Sequence, residues 1–122
     1  LIAHDGLVYG NVAEPTLWTL HDADGREHRV PVRERLRANN GDFLRQAALA
    51  GEGIVYSPRF IVYDSLQRGE LVAVLPEYSH MELQAHALYP QTRHLSQRVR
   101  AFVDFLAERY AGVPCWDRDV PG

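Results

Sequence analysis

From Asn39 onward, stretches with helical apolar spacing alternate with short, uninterrupted apolar runs, and this alternation limits the fold more than any other feature of the chain. Asn39-Asn40-Gly41-Asp42 interrupts an extended pattern and offers several N-caps for a helix over about residues 43–50, with Phe43, Leu44, Ala47 and Ala48 as its buried stripe. Gly51 and Gly53 end that helix and open a strand, Ile54-Val55-Tyr56, stopped by Ser57-Pro58. A second helix follows over residues 59–67, anchored by Phe60, Ile61, Tyr63 and Leu66 and terminated by Gly69. Leu71-Val72-Ala73-Val74-Leu75 then reads as a buried strand, apolar throughout as parallel strands tend to be, and Pro76 closes it. A further strand over about residues 83–89 ends at Pro90. The last helix is capped by Ser96, with Val99, Phe102, Val103, Leu106 and Tyr110 recurring opposite Arg98, Arg100, Asp104 and Arg109. Residues 112–122 carry prolines and no periodicity, as a mobile tail does.

Upstream the pattern is antiparallel. Gly6-Leu7-Val8-Tyr9-Gly10 reads as a strand bounded by glycines, and Thr16-Leu17-Trp18-Thr19-Leu20 as the first arm of a hairpin. Asp24-Gly25 is a strong turn dipeptide. The second arm runs over residues 26–37 with Val30 and Val32 on one face, and Pro31, which cannot donate to a ladder, puts that arm at a sheet edge. Together these segments predict an α/β layer architecture preceded by a hairpin.

The 122 residues fit one compact domain, or one lobe of a two-lobed domain with a connecting element. No apolar run approaches the ~18 residues needed to cross a bilayer. The net charge of −3 argues against a grip on a phosphate backbone, which needs many cationic contacts. Cys115 is the single cysteine, so no disulfide framework or paired-cysteine zinc site is available, and a reducing, cytoplasmic setting is expected. The chain opens on Leu1 with no basic-then-apolar leader, which reads as a piece of a longer polypeptide.

Catalytic chemistry finds little support in these residues. The six histidines lack zincin spacing, and the nearest group, His80, Glu82 and His86, surrounds an expected strand, so no metal and no cofactor is expected. No serine occupies a glycine-flanked elbow, because Ser57 is followed by proline. Asp22 and Asp24 are explained by turn chemistry. Arg33, Arg35 and Arg37 alternate along one strand face, either gathering an anion or forming the solvated guard of an edge strand. The segment from Asn39 to Asp42 has two readings. Its side chains cap the helix, or its free amides and the positive helix end take a carboxylate-like ligand.

The order of these segments resembles the second regulatory lobe of LysR-type transcriptional regulators. The resemblance is carried by Ala3-His4-Asp5-Gly6-Leu7-Val8-Tyr9, Ala38-Asn39-Asn40-Gly41-Asp42, Gln46-Ala47-Ala48-Leu49-Ala50-Gly51 and Gly53-Ile54-Val55-Tyr56-Ser57-Pro58. It continues through Leu71-Val72-Ala73-Val74-Leu75-Pro76, Ala87-Leu88-Tyr89-Pro90 and Arg93-His94-Leu95-Ser96. It implies an α/β fold like that of type II periplasmic binding proteins, here mainly the second lobe, with a mixed sheet flanked by helices. On that map residues 1–82 are the second lobe, residues 83–110 the return crossover strand and a first-lobe helix, and residues 111–122 the tail. The resemblance further implies a ligand-sensing domain without enzymatic activity, whose small effector meets Asn39, Asn40 and Gly41, with Tyr56, Ser57 and Pro58 as a second contact. It also implies homodimers or homotetramers, no membrane association, and DNA contact only through a DNA-binding domain absent from this chain. A lobe of a periplasmic solute-binding protein, or a small α/β enzyme, would be the alternatives.

Overall fold

The strand β1, Asp5–Tyr9, is the centre of the fold because both of its faces are covered: Leu7 and Val8, which point to opposite sides of a strand, are fully buried. It pairs in parallel with β4, Arg33–Ala38, and with the two-residue β5, Ile54–Val55, giving the order β4-β1-β5. A hairpin of β2, Leu17–His21, and β3, Glu27–Pro31, forms a second sheet. Three longer helices follow, α1 at Gly41–Leu49, α2 at Arg59–Gln67 and α3 at Gln97–Arg109, then the four-residue α4 at Cys115–Arg118. The computed structural model describes residues 1, 3–79, 83, 85–89 and 96–118. It divides into two units, one within Leu1–Glu82 and the other within Leu83–Asp119.

The hairpin turn falls where the sequence puts it. Gly25 takes φ 77°, and the Asp22 carboxylate accepts from the backbone amides of Asp24 and Arg26 at 3.0 and 2.9 Å. The second arm is not one strand, however. Pro31, opposite Leu17, is the last pair of the antiparallel ladder, and Val32 then donates its amide to the Thr16 carbonyl at 2.9 Å. Val32 is buried against Val8 and Trp18, and at that residue the chain passes from one sheet to the other. Val30, the last valine of the ladder, is half-buried opposite Trp18.

Asn40 caps α1, its side-chain oxygen accepting from the Phe43 amide at 3.0 Å, so the helix begins two residues before the expected start. Leu44 is its buried anchor, whereas Phe43, one position away around the wheel, is 54% exposed. At the other end Gly51, at φ 79°, closes the helix by donating to the Ala48 carbonyl. Gly53 sits so close to β1 that a Cβ there would lie 2.4 Å from the Asp5 carbonyl oxygen. In α2 the deepest residue is Ser65, fully buried at the crossing with α1, while Phe60 is exposed; a small side chain permits the close approach that a ring would block. Among the described residues Arg45 reaches across that crossing to the Ser65 hydroxyl at 3.4 Å.

Two strand expectations fail. Residues 71–75 form no strand among the described residues: they join neither sheet, Leu75 takes φ 57°, and Val72 is 81% exposed. Residues 83 and 85–89 are likewise irregular and exposed, lacking a ladder partner among the described residues. In the second unit α3 has the expected cap, the Ser96 hydroxyl accepting from Val99 at 3.3 Å, but no residue of it is buried, and Phe102 and Phe105 are exposed. The segment expected to lack structure contains α4, whose Trp116 ring lies 6.0 Å from that of Tyr110.

Candidate functional site

Because β4, β1 and β5 run parallel, their carboxyl ends share one edge of the sheet, the edge at which open α/β sheets place ligands. The residues that follow those ends are Asn39, Gly10 and Tyr56-Ser57. Gly10 prolongs the central pairing by donating to the Ala38 carbonyl at 2.8 Å. Both helices of this unit also start there. A Cβ on Gly41 would stand 2.6 Å from Cδ1 of Ile61, so the first turns of α1 and α2 lie against each other. Two helix N-termini, each with amides that lack intrahelical acceptors, therefore face the same edge.

Asn39 is exposed, with no side-chain hydrogen bond among the described residues. Asn40 is exposed too, its oxygen committed to the cap. Ser57 is half-buried and its hydroxyl donates weakly to the Pro58 carbonyl at 3.4 Å; Pro58 heads α2 with no side-chain cap. Tyr56 is turned elsewhere. Its hydroxyl donates to the Thr19 carbonyl at 2.7 Å and its ring stacks on Trp18 at 5.4 Å, fastening the hairpin to β5. Burial pushes its phenol above the ordinary tyrosine value. Asn39, Asn40, Gly41, Ser57 and Pro58 are thus gathered on one edge, with Tyr56 at the end of β5.

The arginines of β4 do not share one face: the register with β1 skips Arg35, so Arg33, opposite Asp5, and Arg37, opposite Val8, point to opposite sides of the sheet. Arg33 bonds Asp5 at 2.7 Å, Arg35 bonds Glu52 at 2.5 Å and Asp5 at 3.4 Å, and Arg37 bonds Glu34 at 2.5 Å. Each of these three arginines is paired with a carboxylate, as suits a charged edge strand. Among the described residues no group of three or more histidine, cysteine or acidic side chains is placed to hold a metal ion; His80 and Glu82 lie outside the described residues.

Sequence reasoning missed two features. Gly10 and Ile61 belong to the edge, and only the glycine that bounds the first apolar run signalled the former. An open cavity of about 450 Å³ also lies beside β5, walled by Val55, Val62, Leu66 and the irregular residues 71–76, with the expected Tyr56 and Ser57 on its lining.

The family model described as "LysR substrate binding domain" matches residues 1–111, and the chain belongs to that family. An uncharacterized HTH-type transcriptional regulator of Haemophilus influenzae is 34% identical over 96 residues, covering 79% of this chain and 33% of the relative. The HTH-type transcriptional regulator PtxR of Pseudomonas aeruginosa is 36% identical over 106 residues, covering 86% of this chain and 34% of the relative. Among solved structures, the regulatory domain of AphB in Vibrio vulnificus superimposes with a TM-score of 0.66 at 27% identity, covering 86% of this chain and 52% of that one. The chain therefore spans about a third of the length of these curated relatives. The relatives are transcriptional regulators, and among the described residues no helix is long and apolar enough to cross a membrane.

Proposed function

We propose that this chain is the second lobe, with the return segment, of a cytoplasmic LysR-type effector sensor, and that its carboxyl edge forms half of the effector site. The observation that carries the reading is the convergence of three parallel strand ends and two helix starts on Asn39, Asn40, Gly41, Ser57 and Pro58. A small organic effector is held by backbone amides and asparagine side chains at this edge, in a cleft closed by the other lobe of the regulatory region. Tyr56 contributes by fixing the Ser57-Pro58 backbone through its bond to the hairpin.

On this reading residues 1–82 are the second lobe, residues 83–110 lead back to the first lobe and supply it with a helix, and residues 111–122 are the tail. No bond is made or broken. The effector binds one arrangement of the lobes more tightly than another, and that difference shifts subunit packing in a homodimer or homotetramer. Packing in turn sets how the DNA-binding domains elsewhere in the intact protein engage promoter DNA. The HTH-type names of the relatives support this over a periplasmic solute-binding lobe or an enzyme.

The test is a thermal-shift titration of the intact regulator against a library of small carboxylates and aromatic acids, with operator binding measured in parallel. A true effector at a hundredfold its Kd stabilises the protein by about 2.7 kcal/mol. It also changes operator affinity. Silence across the library in both measurements would overturn the sensing role.

A further inference from the structure

Gly41 and Arg45 stand one turn apart on α1, and Ile61 and Ser65 stand one turn apart on α2. The helices meet at these residues in two layers. A Cβ on Gly41 would stand 2.6 Å from Cδ1 of Ile61, and one turn further along Arg45 donates from Nη1 to the Ser65 hydroxyl at 3.4 Å. The layers ascend both helices together, so α1 and α2 run in the same sense at their contact, as helices that each follow a strand of one parallel sheet do. Each layer sets a small residue against a long one, which lets the axes approach closely. Helices of like sense also bring like ends of their dipoles together, here the two positive ends at the carboxyl edge of the sheet.

Arg45 is costly where it stands. Its side chain is 21% exposed, and Nε is buried without a hydrogen-bond partner among the described residues. An unpaired buried donor destabilises a fold, and an apolar chain of similar volume fills the same space without that penalty. The remaining bonds of Arg45 are divided between the helices. Nη2 pairs with Asp42 Oδ1 at 3.5 Å in the first turn of α1, while Nη1 meets Ser65, which is fully buried on α2. Nearby, the Glu70 carboxyl is held below its ordinary value, first by Arg68 and to a smaller degree by Ser65 and the Arg45 charge. A cation so incompletely satisfied adds little stability, yet its geometry selects which turn of α1 lies against which turn of α2. A slip of α1 by one residue would swing the guanidinium about 100° around the axis and away from Ser65.

We infer that Arg45 is a positioning residue: by joining Asp42 on α1 to Ser65 on α2 it fixes the register of the two helices, and with it the juxtaposition of the Gly41 and Ile61 turns at the carboxyl edge. Asn40 caps the helix that Arg45 anchors, so the Asn39-Asn40-Gly41 turn takes its place from this register. The consequence for effector affinity rests on the sensing role proposed above; the register itself does not.

The experiment uses the intact regulator with no effector added, so its outcome is independent of the sensing role. Three quantities are read: the nuclear Overhauser contact between the Gly41 α-protons and the Ile61 δ-methyl, the amide shifts at the two helix starts, and the melting temperature. Shifts are read on the helix opposite the substitution, where a change arrives only through the contact. Arg45→Met keeps the length of the side chain and removes the charge. The inference expects it to melt within about 4 °C of its parent, yet to lose the Gly41 contact and to move the amides of residues 59–61. Arg45→Lys keeps the charge without the planar fork that reaches both partners, and gives values between parent and methionine protein. Ser65→Ala leaves the cation, removes its acceptor on α2 and moves the amides of residues 41–43. An Arg45→Met protein that retains the contact with residues 59–61 unmoved would overturn the inference, as would a lysine protein indistinguishable from the methionine one. If Arg45→Met does not fold, Ser65→Ala decides: displaced amides at residues 41–43 support the inference and unmoved ones overturn it.

Discussion

Replacing Tyr56 by phenylalanine separates the two ways in which this residue ties the hairpin to the sheet. The change removes the hydroxyl that donates to the Thr19 carbonyl at 2.7 Å and keeps the ring that stacks on Trp18 at 5.4 Å. A hydrogen bond of this kind nets about 0.5–1.5 kcal/mol, and because Thr19 is half-buried, water reaches the vacated carbonyl and a loss of about 1 kcal/mol is expected. Tyr56→Ala forfeits the stacking and the buried ring area as well, for a loss of about 3 kcal/mol. Denaturant unfolding followed by Trp18 fluorescence in a Trp116→Phe background reads both. The pH dependence adds a check with a defined sign. Burial raises the Tyr56 phenol above 10.0, so the unfolded chain ionises first. The stabilising contribution is full below pH 10.0 and is lost as pH rises through the higher folded value, a loss that Tyr56→Phe lacks. Equal losses for the phenylalanine and alanine proteins, or a phenylalanine protein as stable as its parent, would refute this division of roles.

Three further perturbations test other parts of the structure. Asn40→Ala removes the α1 cap and costs about 1 kcal/mol in denaturant unfolding, whereas Asn40→Asp keeps the cap and suits the helix dipole but weakens an anionic effector; unchanged effector affinity in Asn40→Asp would exclude Asn40 from the site. Gly53→Ala puts a Cβ against the Asp5 carbonyl at φ 150° and should cost about 3 kcal/mol or more as β5 is pushed off β1, and a tolerated substitution would contradict the register. Asp22 is held below its ordinary carboxylate value, first by the hydrogen bond from His28 at 2.8 Å and then by the Arg26 amide. Its contribution is present above the ordinary carboxylate range and lost as pH falls through the depressed folded value, so Asp22→Asn should flatten that acid limb in a pH series of melting temperatures.

What the sequence makes legible is what local chemistry decides. Pro58 and Gly69 bracket α2, Asp24-Gly25 makes the hairpin turn, and Ser96 caps α3, each because one side chain or one φ angle settles the matter within a few residues. Asn40 belongs to the same class, which is why the α1 end of the candidate site could be named in advance. Non-local decisions were not legible. The break at Val32 follows from burial against Val8 and Trp18, and the Tyr56 bond to Thr19 spans 37 residues. Helical spacing identified a stripe on α2 but could not say that Ser65, not Phe60, would meet α1. For residues 71–75 the run is a strand by composition, yet pairing depends on a neighbour the run does not contain.

The claim on which the account rests is that an effector seats on the carboxyl edge of β4, β1 and β5. Amide chemical-shift mapping of the labelled intact regulator, titrated with whichever compound stabilises it, tests that directly. The account predicts saturable shifts concentrated at Gly10, residues 39–43 and residues 57–61. Shifts that cluster instead on the hairpin turn or on Arg33, Arg35 and Arg37 of β4, with these amides unmoved, would contradict it.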